Sequence, residues 1–310
     1  MFQSIYVPVD NSEHSNASEL LGVELAGAFS AKLTGSHIYA AALHDTRFKQ
    51  MEFTLPDEYK EEGELEKQRR IHDALITRGL ELISDSYLDR LAGMAESAGV
   101  EFAKLRADGR TFEEIVREIE EHGFDLVIMG AVGQGAVRQS TAGSVTERTM
   151  RRIEKDTLII RDPEVASLSA EGHIVVALDG SQRSWGALQT ALELAHKSGG
   201  RTVEVVAVSN GDAAEELLES HLRLARATVR GAGLKARTTL LDGEPGPALL
   251  EHLAETNPWL VVAGRTGLDA ADGELEVGSV TWELVRRASC NVFVSVANWT
   301  AAQARDAAAR

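Results

Sequence analysis

Short apolar runs alternate along this chain with longer amphipathic stretches, which is typical of parallel strands separated by helices. The first half contains five such runs, at 5–9, 36–43, 100–107, 126–129 and 157–161. The second half contains five more, at 174–178, 203–208, 235–241, 260–263 and 292–296. Several runs lack polar alternation, so both faces of their strands must be buried. The pattern predicts two doubly wound α/β domains in tandem, each a five-stranded parallel sheet with helices on both faces.

The second half of the chain repeats the first. Residues 4–15 match residues 173–184, and each copy contains an aspartate that ends the first strand, Asp10 or Asp179. Toward the other end, residues 143–162 align with residues 278–297 without a gap. A repeat of this length indicates two copies of one domain.

The repeat also predicts the domain boundaries. We expect the first domain at 1–162, a polar linker at 163–170 and the second domain at 171–298. The tail at 299–310 is rich in alanine and arginine and lacks an apolar stripe, so we expect it to be disordered.

The first half carries about 35 additional residues, within 44–99. Part of this segment has apolar residues at steps of three or four, which predicts an amphipathic helix. These residues are Leu80, Ile83, Tyr87, Leu91 and Met94. The helix is expected to cap the sheet. An alternative is a partner-docking or ligand-covering element, which best fits residues 48–59.

Composition narrows the functional classes. The net charge of −16 disfavours nucleic-acid and anionic-membrane binding, and no run approaches the roughly 18 apolar residues of a spanning helix. With no signal peptide before Asp10, a cytoplasmic location is expected. Cys290 is the only cysteine, which excludes an intramolecular disulfide and predicts a small apolar residue beside the last strand. No histidine spacing supports a metal site, and no nucleophile motif supports hydrolysis.

Glycines recur after the fourth strand of each half, at Gly130 and Gly133 and again at Gly264 and Gly267. Glycines let a backbone turn sharply and approach a ligand, and the helix that follows offers free N–H groups to phosphate. Ligands of such sheets bind at the carboxyl ends of strands, where the strand order reverses. If the first and fourth strands are neighbours, Asp10 and Gly130 form two walls of one crevice. The spacing matches neither a Walker A loop nor the dinucleotide fingerprint.

At these residues the chain resembles the universal stress protein family. The family signature has two glycines, a nine-residue spacer and a Gly-Ser pair after the fourth strand, with an aspartate ending the first. Asp10, Gly130, Gly133, Gly143 and Ser144 fit it. The resemblance implies ATP, or alternatively AMP or ADP, bound at the strand tips as a regulatory ligand in a stress response. It also implies that the two halves pair as two single-domain subunits do, and that a regulatory protein, unidentified, reads the bound state. Further dimerisation stays open.

The resemblance also assigns residues to the nucleotide. Backbone near Val9 and Met129 would meet the base, and Asp10 would lie near the adenosine. The complete implied site is Pro8, Val9, Asp10, Met129, Gly130, Gly133, Gly143, Ser144, Val145 and Thr146. No base or nucleophile is positioned for catalysis, so the protein is predicted not to be an enzyme, with slow ATP hydrolysis at most.

Each assignment has a structural alternative. Asp10 could have the structural role of ending a strand or capping the next helix. Gly130 and Gly133 could serve only the conformation of the turn. Ser144 and Glu147 have the spacing of a capping box, so Ser144 could serve only its helix. Together these alternatives describe an interaction module with no nucleotide. A third possibility is an adenylating enzyme, for which no second substrate pocket is found.

The second half is predicted to hold a weaker or degenerate site. Its equivalent residues are Asp179, Gly264, Gly267, Gly278 and Ser279. The acids of its loop, which would oppose phosphate by about 0.4 kcal/mol each at about 10 Å in water, are Asp269, Asp272, Glu274 and Glu276. Arg265 is expected to offset part of this repulsion, and Mg²⁺ bound by the acids could reverse it.

Overall fold

The computed structural model describes residues 2–41, 48–133, 142–268 and 276–309. Its strands are β1 (Ser4–Pro8), β2 (Lys32–Tyr39), β3 (Phe102–Asp108), β4 (Leu126–Gly130), β5 (Asp156–Ile160), β6 (Ile174–Ala177), β7 (Val203–Ser209), β8 (Ala236–Asp242), β9 (Leu260–Gly264) and β10 (Asn291–Ser295). Its helices are α1 (Glu13–Phe29), α2 (Glu62–Ser97), α3 (Thr111–His122), α4 (Ser144–Met150), α5 (Gln182–Lys197), α6 (Asp212–Gly231), α7 (Pro245–Thr256), α8 (Ser279–Arg287) and α9 (Ala301–Ala308).

Each half forms the predicted doubly wound parallel sheet. The strand order is β3-β2-β1-β4-β5 in the first half and β8-β7-β6-β9-β10 in the second. The order therefore reverses between β1 and β4, and between β6 and β9. This confirms the fold class and the adjacency of the first and fourth strands.

The two halves share one sheet. Strands β5 and β10 pair antiparallel, with Phe293 opposite Leu158, so the ten strands are continuous. The pairing of halves that the resemblance implies is thus present in the structure. Both faces of the sheet are covered, with α1, α2, α5 and α6 on one face and α3, α4, α7 and α8 on the other. Strands such as β4 carry apolar residues on both sides because neither side meets water.

Residues 62–97 of the additional segment form the long helix α2, whose second half covers β2 and β3. Leu91 is fully buried there, and a Cβ built on Gly35 of β2 would lie 2.8 Å from its Cδ2 atom. Gly35 therefore lets the helix approach the sheet. Tyr87 and Met94 also pack against this core, whereas Ile83 is exposed, contrary to its place in the predicted stripe.

The prediction of a disordered tail is wrong for residues 301–308, which form α9. Thr300 and Gln303 make a capping box at its start. Ala304 is fully buried, and its carbonyl oxygen accepts a hydrogen bond from Oγ1 of Thr228 in α6 at 3.1 Å. Alanines let the backbone of α9 lie close against α6, so the tail packs without a wide apolar stripe.

Cys290 is 2% exposed and packs in the apolar cluster beside β10, as predicted. Across the described ranges, no helix is both long enough and apolar enough to cross a bilayer.

Candidate functional site

A cavity of about 600 Å³ opens at the carboxyl ends of β1 and β4, where the strand order of the first half reverses. The residues that the sequence assigns to the first site all line it. They are Pro8, Val9, Asp10, Met129, Gly130, Gly133, Gly143, Ser144, Val145 and Thr146. The chain folds this way because helices α1 and α4 leave β1 and β4 on opposite faces of the sheet, which separates the two loops.

Sequence reasoning missed several residues that complete the walls of the cavity. They are Ser12, Ser15, Ile38, Thr111, Ile115, Val132, Ala142 and Glu147. Ile38, Ile115 and Met129 are almost completely buried and form an apolar side. Ile38 could have been predicted from its place near the end of β2. Thr111 and Ile115 belong to α3 and carry no motif that could have indicated them. An apolar wall facing polar loops suits a ligand with a flat ring and an anionic group.

A tight turn fixes Asp10 at the cavity wall. The backbone N–H of Ser12 donates to Oδ1 of Asp10 at 2.9 Å, and the N–H of Asp10 donates to Oγ of Ser15 at 3.0 Å. Between them Asn11 has φ of 60°, a left-handed conformation that asparagine tolerates. Ser12, rather than Asp10, caps α1, because its Oγ accepts from the N–H of Ser15. Asp10 therefore shapes the turn and is not the helix cap.

The two glycines after β4 face different neighbours. A Cβ on Gly130 would lie 2.8 Å from the Cβ of His14, so glycine there lets α1 approach whether or not a ligand binds. A Cβ on Gly133 would overlap Oδ2 of Asp10 inside the cavity. The alternative that the glycine serves only the backbone thus has direct support at Gly130. At Gly133, the lack of a side chain lets the loop lie against Asp10.

The start of α4 closes the glycine loop. The N–H of Gly143 donates to the carbonyl oxygen of Ala131 at 2.7 Å, and Oγ1 of Thr146 donates to the carbonyl oxygen of Gly130 at 2.8 Å. Gly143 is the N-cap and makes no side-chain capping bond, and Ser144 is the exposed first residue of the helix. The capping-box alternative for Ser144 is therefore wrong.

Glu147 brings a negative charge to the cavity wall, but this charge is paired. Its Oε1 atom lies 2.8 Å from Nε of Arg286, which belongs to α8 of the second half. The hydrogen bond to Glu147 raises the pKa of Arg286 above its ordinary value. An ion pair between the two halves thus lies at the edge of the first site.

The second half repeats the local geometry of the first. The N–H of Ser181 donates to Oδ1 of Asp179 at 2.9 Å, and Gly180 has φ of 92° at the position equivalent to Asn11. Oγ1 of Thr281 donates to the carbonyl oxygen of Gly264 at 2.7 Å, and the N–H of Gly278 donates to the carbonyl oxygen of Arg265 at 2.8 Å. These bonds form in both halves, so they belong to the duplicated fold.

Two further contacts reach the aspartate turn of the second crevice. The N–H of Leu268 donates to Oδ2 of Asp179 at 3.2 Å, so the loop beyond Gly267 turns onto the aspartate. The ring of His221 lies beside Gly180, where a Cβ would be 2.5 Å from its Cε1 atom. Burial lowers the pKa of His221, which favours the neutral ring. Both contacts bring protein atoms to the aspartate turn.

Arg265 is buried at the junction between the two halves. It is 2% exposed and donates through Nη2 to the carbonyl oxygen of Met150, 2.9 Å away in the first half. Of the loop acids, Glu276 is exposed, and Asp269, Asp272 and Glu274 lie outside the described residues. Within the residues that the structure describes, no group of three or more acidic, histidine or cysteine side chains could hold a metal ion.

Two doubly wound domains joined edge to edge, with a cavity at the reversal point of the first, define a tandem Rossmann-like α/β protein. A sequence model of the universal stress protein family matches residues 1–161 and again residues 172–295. The chain therefore belongs to the universal stress protein family, with one family domain in each half.

Individual relatives agree with this membership. Universal stress protein YxiE of Bacillus subtilis is 24% identical over 161 residues, which cover 52% of this chain and 100% of that protein. Universal stress protein MJ0577 of Methanocaldococcus jannaschii is 32% identical over 66 residues, which cover 21% of this chain and 41% of that protein. The match to MJ0577 thus spans less than half of that relative.

A solved structure that aligns with both halves shares the fold. A universal stress protein from Archaeoglobus fulgidus aligns at 19% identity over 94% of this chain and 97% of that chain, with a TM-score of 0.64. A universal stress protein solved in complex with cAMP aligns at 21% identity over 51% of this chain and 96% of that chain, with a TM-score of 0.34. The first alignment spans both halves of the chain and therefore includes the tandem arrangement.

Proposed function

We propose that the first half binds ATP, or another adenine nucleotide, as a regulatory ligand in the cavity between β1 and β4. The observation that carries the proposal is that ten residues chosen from the family signature and its flanks line this one cavity. Its volume of about 600 Å³ lies within the usual range for small-molecule sites. The apolar side suits the base, and the glycine loop with Ser144 suits the phosphates.

The second half is proposed to bind nucleotide weakly or not at all. The ring of His221 lies against the aspartate turn of the second half, and Arg265 donates to the carbonyl oxygen of Met150 in the first half. The exposed Glu276 adds negative charge where the equivalent loop of the first half has none. Titration with ATP should therefore give one site per chain.

The bound nucleotide is proposed to act as a signal in the cytoplasm, read by another protein, and not as a substrate for rapid turnover. The two carboxylates that line the cavity already have partners, Asp10 in its turn and Glu147 with Arg286. Neither is placed as a free general base. Hydrolysis at ordinary enzyme rates, above about 1 per second, would overturn this part of the proposal.

A second candidate is an interaction module that needs no nucleotide. It is favoured by Gly130, whose packing against His14 explains the glycine without a ligand, and by loop bonds that close in both halves. Nucleotide carried by freshly purified protein would favour the first candidate.

The decisive test uses a matched pair of variants. Ser144→Glu places a carboxylate beside the proposed phosphates, and Ser279→Glu makes the same change in the second half. Both serines are exposed first residues of helices, where an acid favours the helix. By calorimetry with ATP, S144E should bind at least about tenfold more weakly, because each phosphate charge about 5 Å away opposes the carboxylate by about 0.8 kcal/mol. S279E should bind like the unmodified chain.

Equal ATP affinities of the unmodified chain and S144E would show that the phosphates do not bind at this loop. Gly130→Val is a poor test, since its side chain would strike α1 with or without ligand.

A further inference from the structure

The ion pair between Glu147 and Arg286 joins the proposed nucleotide site to the other half of the protein. Glu147 lines the cavity of the first half, and Arg286 approaches it from α8 of the second half, at 2.8 Å. The side chains are 27% and 38% exposed, so the pair lies at the rim where water still reaches it. No other carboxylate from the described part of α4 lines the cavity, because Glu147 is the only acid in that helix.

Arg286 is held in place from a second side. Its guanidinium carbon lies 5.2 Å from the ring centroid of Trp282, one turn earlier in α8. A carboxylate on one side and an indole on the other restrict the arginine, so its charge has a fixed position relative to the cavity.

The same two positions also meet with the halves exchanged, and this second contact shows that the ion pair is particular to the first site. Glu147 of α4 and Trp282 of α8 occupy equivalent positions, as do Arg151, directly after α4, and Arg286. The counterpart of the Glu147–Arg286 ion pair is therefore Arg151 over the Trp282 ring, 4.8 Å from its centroid. The two positions therefore meet twice across the interface, and a carboxylate takes part only in the Glu147–Arg286 contact.

A carboxylate in the wall of a phosphate site opposes binding unless its charge is compensated. Arg286 supplies that compensation from the second half, although none of the described residues of that half lines the cavity itself. We propose that Arg286 is a positioning and affinity-determining residue for the nucleotide phosphates in the first half, acting through Glu147. Phosphate binding in one half then depends on the correct pairing of both halves. This inference rests on the proposed function.

The test titrates the full-length chain with ATP and, separately, with adenosine, which has the base and ribose but no phosphate. Arg286→Met keeps an apolar stem over Trp282 and removes the charge. At low ionic strength, R286M should weaken ATP binding about three- to tenfold and leave adenosine binding unchanged, because an unpaired carboxylate about 10 Å from the phosphates repels only the charged ligand.

Two further variants distinguish an electrostatic role of Arg286 from a purely structural one, because the two roles predict different changes in ATP affinity. Glu147→Gln leaves Arg286 unopposed and should strengthen ATP binding, and the E147Q/R286M double variant should return to near the affinity of the unmodified chain. Arg287→Met is the matched control, since Arg287 pairs with Glu283 within α8 at 2.9 Å and does not line the cavity. R287M should bind ATP like the unmodified chain.

The possible failures are distinguishable. If the unmodified chain binds neither ATP nor adenosine, the proposed function is wrong and this inference falls with it. If the unmodified chain binds both, but R286M binds ATP with unchanged affinity, or loses ATP and adenosine equally, only the inference is overturned. If R286M fails to fold, as judged by circular dichroism, E147Q decides the matter, and ATP binding no tighter than in the unmodified chain overturns the inference.

Discussion

The carboxylate of Asp156, on β5 of the first half, accepts a hydrogen bond through Oδ1 from the backbone N–H of Val296, just after β10 of the second half, at 2.7 Å. The bond crosses the junction between the two sheets. Asp156 is only 8% exposed, and burial raises its pKa to about 6. The junction therefore contains an acid that takes up a proton near neutral pH.

The contribution of Asp156 to the stability of the chain should fall as the pH rises from 5 to 7.5. Between the unfolded pKa of about 3.9 and the folded value of about 6, the folded state binds more protons, so raising the pH favours unfolding. Asp156 should contribute a loss of about 1–1.5 kcal/mol over this range. Urea unfolding of the unmodified chain and of an Asp156 variant at both pH values measures it.

Asp156→Asn is the control for this effect. The amide keeps an oxygen to accept from Val296 but does not titrate, so the variant should lose about 1–1.5 kcal/mol less than the unmodified chain between pH 5 and 7.5. Parallel losses in the two proteins would show that Asp156 is not the responsible group.

A matched pair of leucines in α2 tests whether this helix caps the sheet. Leu91 is fully buried against Gly35, whereas Leu75 is 68% exposed in the part of α2 that precedes the sheet contact. Leu91→Ala should lower the free energy of unfolding by about 2–5 kcal/mol, because it leaves a cavity in the core. Leu75→Ala should change it by no more than about 0.5 kcal/mol. Denaturant unfolding of both variants compares the two sites directly, and equal effects would contradict the capping role of residues near Leu91.

Cys290 should be unreactive in the folded chain. Burial raises the pKa of its thiol to about 12, so almost no thiolate is present at pH 8. A thiol reagent should label the native protein slowly and the urea-unfolded protein at once. Rapid labelling of the native protein would indicate that the region around β10 opens readily.

The duplicated fold and the first site could be predicted from sequence because their signals are local. Buried parallel strands give unbroken apolar runs, and the glycines and aspartate stand directly at strand ends. Strand limits were predicted less accurately, since β2 was expected at 36–43 and lies at Lys32–Tyr39. The alanine-rich helix α9 was missed because its stability comes from close contact with α6 and not from an apolar stripe of its own.

The contacts between the halves could not be predicted, because they join residues far apart in the sequence. Arg265 was considered only for the charge of its own loop, and it also donates to Met150 across the junction. Glu147 was read as part of a capping box and instead pairs with Arg286, 139 positions away. Such pairs depend on the antiparallel contact of β5 with β10, and nothing in either local motif specifies that contact.

The two equivalent glycines separate a binding role from a folding role. A Cβ on Gly133 would overlap Oδ2 of Asp10, and a Cβ on Gly267 would lie 2.8 Å from Oδ2 of Asp179. Neither glycine has a positive φ, so alanine strains only the contact with the aspartate. Gly133→Ala and Gly267→Ala should each destabilise the chain by about 1–3 kcal/mol, as expected for overpacking. Because the first aspartate lines the proposed nucleotide cavity, only G133A should weaken ATP binding, and thermal unfolding with and without ATP would show it as a smaller ligand-induced rise in Tm. A reduced rise in G267A, with G133A unaffected, would place the nucleotide in the second half.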